Sequence, residues 1–168
     1  NTLVTDPRVN GISFTGSTEI GSGIYTEGAK SLKKVQCEMG GKNAIIVDAS
    51  ADLDEAVLGV RQSAFGYQGQ KCSACSRVVV LDSAYDEFLS RLVEATRSLA
   101  IGNPEDPGSA VGPMVDAGQQ RTVQEYQALA REEGEVVLQR EVPAEGCFAG
   151  PTIVTGIRAE HRLAQEEI

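Results

Sequence analysis

The spacing of hydrophobic residues along this chain switches repeatedly between the two-residue alternation of strands and the three- and four-residue spacing of helices. Residues 11–14 ("GISF") are apolar at Ile12 and Phe14 and predict a short strand, followed by "TGSTEIGSG", a small-residue turn opening a helix. Residues 33–38 ("KKVQCE") alternate, and residues 43–48 ("NAIIVD") form the continuous apolar run of a buried strand. Asp52 with Glu55 three residues on makes a capping-box pattern, and Leu53, Ala56, Val57, Val60 and Ala64 then mark one helix face to about Phe65. Residues 77–81 ("RVVVL") are β-branched and predict a strand. Tyr85, Phe88, Leu89, Leu92 and Val93 predict an amphipathic helix stopping near Gly102 and Pro104. A further helix is predicted between Asp116 and Glu133, closed by Gly134, with strands at 135–140 and 151–157.

Strands separated by helices indicate an α/β chain with mostly parallel pairing. The pair Gly40-Gly41, between two predicted strands, is where the main boundary is expected, dividing the chain into 1–40 and 41–168. The chain starts on Asn1 and stops at "LAQEEI" without a cap or polar tail, and is expected to be a piece of a longer protein.

Composition narrows the partners. With 15 basic and 24 acidic residues the net charge is −9, a field that repels nucleic-acid backbones and anionic membrane surfaces. No run approaches the roughly 20 apolar residues of a membrane span, and "NTLVTDPRVN" has neither the basic nor the apolar region of a targeting signal. Four cysteines are too few for a disulfide scaffold, so they are read as thiols in a reducing compartment, and a cytoplasmic location is expected.

Two of those thiols, Cys72 and Cys75, form a C-x-x-C inside "GYQGQKCSACSR". A zinc site would need a second close pair, and Cys37, Cys147 and His161 supply none, so no metal is expected. A thioredoxin-like pair would open a helix after a strand, whereas Cys72 follows a helix and precedes one of the predicted strands. Two readings remain: a pair of small buried thiols, or a nucleophile at Cys72 with a structural Cys75. The second draws on the Gly- and Gln-rich turn and on Lys71, whose N–H groups and cation would stabilise an anionic sulfur. His161, in the polar segment "AEHRLAQEE", reads as solvent-facing. A base for Cys72 would therefore be a carboxylate, and Glu38, which ends a strand before two glycines, reads either as that base beside an open cleft or as a solvated strand-end glutamate. "FTGSTEIGSG" matches neither G-x-G-x-x-G nor a P-loop. It does offer a strand, Gly16, and then Ser17 and Thr18 opening a helix whose free N–H groups could serve an N-cap or hold a pyrophosphate.

Taken in order, "FTGSTEIG", "EMGGKNAIIVDASADLDEAV", "GYQGQKCSACSR", "YDEF", "GNPEDP" with "GPMVD", and "EEI" resemble the aldehyde dehydrogenase superfamily over essentially the whole chain. The cysteine block is most similar to the branch that oxidises glutamate semialdehyde to glutamate in proline catabolism. The resemblance implies the end of a Rossmann-like cofactor domain (1–40) followed by part of the catalytic α/β domain (41–168), roughly a third of a member. It implies Cys72 as nucleophile, Glu38 as general base, and Gly16 and Ser17 beside the pyrophosphate of NAD, with NADP an alternative. Glu167, in "EEI", would hold the nicotinamide ribose. Lys71 and Ser73, flanking the nucleophile, are candidates for binding the substrate. The partners implied are a small aldehyde and further copies of the full-length protein. The implied chemistry is attack by Cys72 on the aldehyde carbon, with the oxyanion held partly by the Cys72 N–H, then hydrolysis of a thioester by water that Glu38 activates. The family's oxyanion asparagine and adenosine-ribose lysine would lie before Asn1, and its substrate-gripping loop and oligomerisation arm after Ile168. A different aldehyde class, or a fold kept without the chemistry, are the alternatives.

Overall fold

In the computed structural model, which describes residues 2–168, a single helical turn, α1 (Thr2–Thr5), precedes the strand that Ile12 and Phe14 announce. That strand, β1 (Gly11–Thr15), pairs in parallel with β2 (Lys34–Glu38), and α2 (Thr18–Ala29) makes the crossover. The result is a βαβ unit, the repeating piece of Rossmann-like sheets. Glycine lets α2 lie close to its neighbours: a Cβ on Gly21 would stand 2.8 Å from Met39 Sδ, and one on Gly28 2.6 Å from Val35 Cγ2. Overpacking of this kind costs about 1–3 kcal/mol.

This first unit ends at Gly41, and Lys42–Ile168 forms the second. Within the second unit, β3 (Asn43–Val47) runs into α3 (Leu53–Phe65), a tight turn (Gly66–Gly69), and β4 (Cys75–Val80), which pairs with β3 in parallel. Asp52 caps α3 by accepting from the N–H groups of Asp54 and Glu55 at 3.0 and 3.2 Å. Then come α4 (Asp82–Arg97), α5 (Ala117–Glu133), β5 (Glu135–Gln139), β6 (Thr152–Thr155) and α6 (Arg162–Gln165). Val47, Val57, Val60, Phe88 and Leu92 form the core, joined by Ile45, Val78 and Val80. Each such side chain contributes roughly 1.5–3 kcal/mol relative to exposure. The alternate positions Ile46 and Val79, paired across the ladder, remain 74% and 53% exposed.

Two of the three strand pairs are parallel, in line with the mostly parallel pairing expected, and β5 and β6 pair antiparallel. Two details differ from the sequence expectation. The helix expected to reach Gly102 ends at Arg97, because Arg140 donates to the carbonyls of Thr96, Arg97 and Leu99 and so caps it early. β4 begins at Cys75 rather than Arg77, which makes the second cysteine a strand residue. Among the described residues, no helix is long and apolar enough to cross a membrane.

Candidate active site

Between α3 and β4 the backbone turns through three successive residues in the left-handed region, Tyr67 (φ 53°), Gln68 (φ 58°) and Gly69 (φ 72°). Only the last is a glycine, so Tyr67 and Gln68 hold a conformation that costs of order 1 kcal/mol or more each. Polar contacts support the turn: Gln70 donates its N–H to the Tyr67 carbonyl at 3.0 Å, and its Oε1 accepts from Val115 N–H at 3.2 Å. The next turn carries the cysteine. Ala74 N–H closes it on the Lys71 carbonyl at 2.9 Å, leaving Cys72 and Ser73 as its two central residues. Lys71, Cys72 and Ser73 are all exposed, and Lys71 Nζ lies 5.2 Å from the centre of the Tyr67 ring.

The two cysteines of the C-x-x-C are in opposite environments. Cys72 is exposed; Cys75 is 5% exposed, and its Sγ donates to the Arg77 carbonyl at 3.3 Å. Burial pushes the Cys75 thiol above its ordinary range, so it is a poor nucleophile near neutral pH. All four cysteines are free, and among the described residues no group of three or more His, Cys, Asp or Glu could hold a metal ion.

Asn43, which sequence reasoning missed, donates its side-chain amide to the carbonyls of Cys72 and Ala74. Arg77 donates to the Lys42 carbonyl at 2.5 Å and the Ala164 carbonyl at 3.3 Å, tying the start of β3 to α6. The N-terminus of α6 is capped by Glu133, which accepts from Arg162 N–H (3.1 Å) and Leu163 N–H (2.9 Å); these bonds, Leu163's first, hold its carboxyl below the usual range. Glu166 takes Arg162 and the Tyr126 hydroxyl, and the arginine's hydrogen bond lowers its carboxyl most. Glu167 follows, exposed. No local signal in the sequence marks these links, which join segments distant along the chain.

Lys42 is half-buried, and burial, then Arg77, brings its ammonium down from 10.5 to about 8, against the opposing pull of Glu166 and Glu167. Between pH 8 and 10.5 the folded chain thus binds fewer protons at Lys42 than the unfolded one. The contribution of this group to stability therefore rises with pH across that window and is least favourable below it. Lys42→Met in the full-length protein is expected to raise the unfolding temperature at pH 7, with the advantage shrinking as pH passes 8 and gone near 10.5. A difference independent of pH in thermal melts would show that the ammonium is not the cause.

In the first unit, Glu38 is the exposed last residue of β2, and its backbone carbonyl accepts from Gly16 N–H at 3.1 Å. Strand end and turn are thereby joined, and Glu38 Oε1 accepts from Gln36 Nε2 at 3.2 Å. A Cβ on Gly16 would meet Phe14 Cζ at 2.5 Å, so any larger residue here would displace the Phe14 ring. Ser17 caps α2, its Oγ accepting from Ile20 N–H at 3.3 Å. The first N–H groups of this 12-residue helix have no partner within it, an arrangement that suits an anion. Of the sequence candidates, then, Gly16, Ser17 and Glu38 gather in the first unit. Lys71, Cys72 and Ser73 form one turn in the second, and Glu167 lies where its charge reaches Lys42. His161 departs from the solvent-facing reading: it is half-buried, and its Nδ1 accepts from Arg158 N–H at 3.3 Å.

These features define an α/β protein that presents one thiol at a turn and buries a second three residues on. The chain belongs to the aldehyde dehydrogenase family, whose sequence profile matches residues 1–168. A 1-pyrroline-5-carboxylate dehydrogenase of Bacillus cytotoxicus is 45% identical over 99% of this chain and 34% of its own length. Among solved structures, Thermus 1-pyrroline-5-carboxylate dehydrogenase with bound NAD superposes with a TM-score of 0.91 at 42% identity, over 98% of this chain and 33% of that one. Proline utilization A of Bdellovibrio bacteriovorus gives 0.94 at 43% identity, over 98% of this chain and 18% of that one. The chain thus spans about a third of the length of the curated relatives it matches.

Proposed function

We propose that this chain carries the nucleophile and general base of a cytoplasmic NAD(P)-dependent enzyme that oxidises glutamate 5-semialdehyde, derived from 1-pyrroline-5-carboxylate, to glutamate in proline catabolism. The first unit is the end of its cofactor domain and the second the start of its catalytic domain. The full-length protein works as an assembly of identical copies. The observation that carries the reading is the contrast between exposed Cys72 and buried Cys75 within a block similar in sequence to 1-pyrroline-5-carboxylate dehydrogenases.

The Cys72 thiolate, its proton already lost to solvent, bonds through Sγ to the aldehyde carbon, and the carbonyl π pair moves to oxygen, where the Cys72 N–H stabilises it. Gly16, Ser17 and the first N–H groups of α2 would hold the dinucleotide's pyrophosphate and Glu167 its ribose; when bound, NAD supplies the hydride acceptor. Cys72 is then left as a thioester. Glu38 takes a proton from water, the oxygen adds to the thioester carbon, and the sulfur leaves as glutamate's side-chain carboxylate forms. Exposed Lys71 and Ser73 offer a cation and a hydroxyl to the α-carboxylate of the zwitterionic substrate, with the Tyr67 ring beside the lysine.

The test is steady-state kinetics of the full-length protein with glutamate semialdehyde and with uncharged aliphatic aldehydes, using NAD and NADP in turn. The expected result is a kcat/KM for glutamate semialdehyde with NAD at least about tenfold above the other combinations. A preference for an uncharged aldehyde would replace the substrate assignment with that of a general aldehyde dehydrogenase.

A further inference from the structure

Asn43 opens β3, and its amide reaches the cysteine turn 29 residues on, with Nδ2 2.6 Å from the Cys72 carbonyl and 3.1 Å from the Ala74 carbonyl. It stands where the ladder slips: Asn43 faces Cys75, whereas the next residue, Ala44, faces Arg77. Regular strand pairing therefore does not extend into the turn, and the side chain bonds the carbonyls there instead. The Asn43 carbonyl in turn accepts from Ser76 Oγ at 3.3 Å.

These contacts fix both peptide planes at Cys72. The plane before it is held through the Lys71 carbonyl, which accepts from Ala74 N–H. In a trans peptide the N–H points opposite the carbonyl, so this bond also sets the direction of the Cys72 N–H, which enters none of these contacts. The plane after Cys72 is held through its own carbonyl, by Asn43. With both planes set, the direction of the Cα–Cβ bond is set too. An amide nitrogen has two hydrogens, one for each carbonyl; a hydroxyl has one, and a methyl none.

We propose that Asn43 is a positioning residue for the cysteine reaction: by holding the carbonyls of residues 72 and 74, its amide aims the Cys72 N–H and the Cys72 side chain at the same spot. The carbon that sulfur attacks and the oxygen that gains charge then meet their partners together. This rests on the reading of Cys72 as nucleophile.

Asn43→Ala and Asn43→Ser, made in the full-length protein, separate the step that builds an oxyanion from one that does not. The pre-steady-state burst of NADH reports the first; alkylation of Cys72 by iodoacetamide, a displacement with no oxyanion, reports the second. The expected result for alanine is a burst rate constant about 10- to 100-fold lower, with serine between alanine and wild type. Alkylation of Cys72 is expected to change by less than about threefold, with Cys75 still protected. A burst within about twofold of wild type for alanine would overturn the inference. Labelling of Cys75 in step with Cys72, or failure of both variants to fold, would overturn it equally, by making Asn43 a residue that holds the fold. Cys72→Ala, run in parallel, separates the two readings. Turnover that survives in Cys72→Ala removes the nucleophile assignment itself, whereas a dead Cys72→Ala beside an unimpaired Asn43→Ala removes only the role of Asn43.

Discussion

Cys72→Ala in the full-length protein is expected to lower aldehyde-dependent NADH formation by on the order of 10⁴-fold or more, with NAD binding retained. The loss should be nearly complete because no neighbouring thiol can substitute. Cys75 is buried, with its sulfur bonded to the Arg77 carbonyl, and burial pushes its thiol up and away from the ionised form that attacks carbonyls. Cys37 is half-buried with its sulfur 3.6 Å from the Gly21 carbonyl. Competitive alkylation read by mass spectrometry provides the matching control: wild-type protein should be labelled first at Cys72. Normal turnover in Cys72→Ala would falsify the assignment, and faster labelling of Cys75 or Cys147 would weigh heavily against it.

Glu38→Gln is expected to leave a rapid burst of NADH followed by steady turnover slowed about 10²- to 10⁴-fold. Glutamine keeps the length of the side chain and an oxygen that can still accept from Gln36 Nε2, so the strand end and its bond to Gly16 should persist. What disappears is the ability to take a proton from water, which matters when the thioester is hydrolysed and not when hydride leaves. Stopped-flow absorbance separates the phases. Equal slowing of both would move Glu38 to activating the thiol or orienting the substrate.

The turn that carries Cys72 was visible in the sequence because it depends on neighbours along the chain, although the spacing of the two cysteines left open that both are buried. A glycine-rich turn leads into Cys72, whereas the β-branched run predicted a strand only from Arg77, so the place of Cys75 at the start of β4 was not read. Helix starts were equally legible at Ser17, Asp52 and Asp116, where the cap bonds to N–H groups two or three residues on. Features that depend on distant partners were hidden. The early end of α4 is set by Arg140, more than 40 residues away, and the antiparallel β5–β6 pairing by the path of a loop with no periodicity. Tyr67 and Gln68 adopt left-handed backbone without the glycine that normally signals it. Asn43 read as the start of a strand, and nothing beside it indicated where its amide would go.

Around the cysteine, Asn43 and Arg77 hold main-chain carbonyls only, those of Cys72, Ala74, Lys42 and Ala164. Every amino acid provides such a carbonyl, so the frame is blind to the side chains at positions 71 and 73, which face solvent on either side of the sulfur. Under the proposed function, the groups that meet the substrate and the bonds that hold the sulfur in place are therefore separable. Replacing the lysine or the serine removes none of the hydrogen bonds that Asn43 and Arg77 make to the main chain.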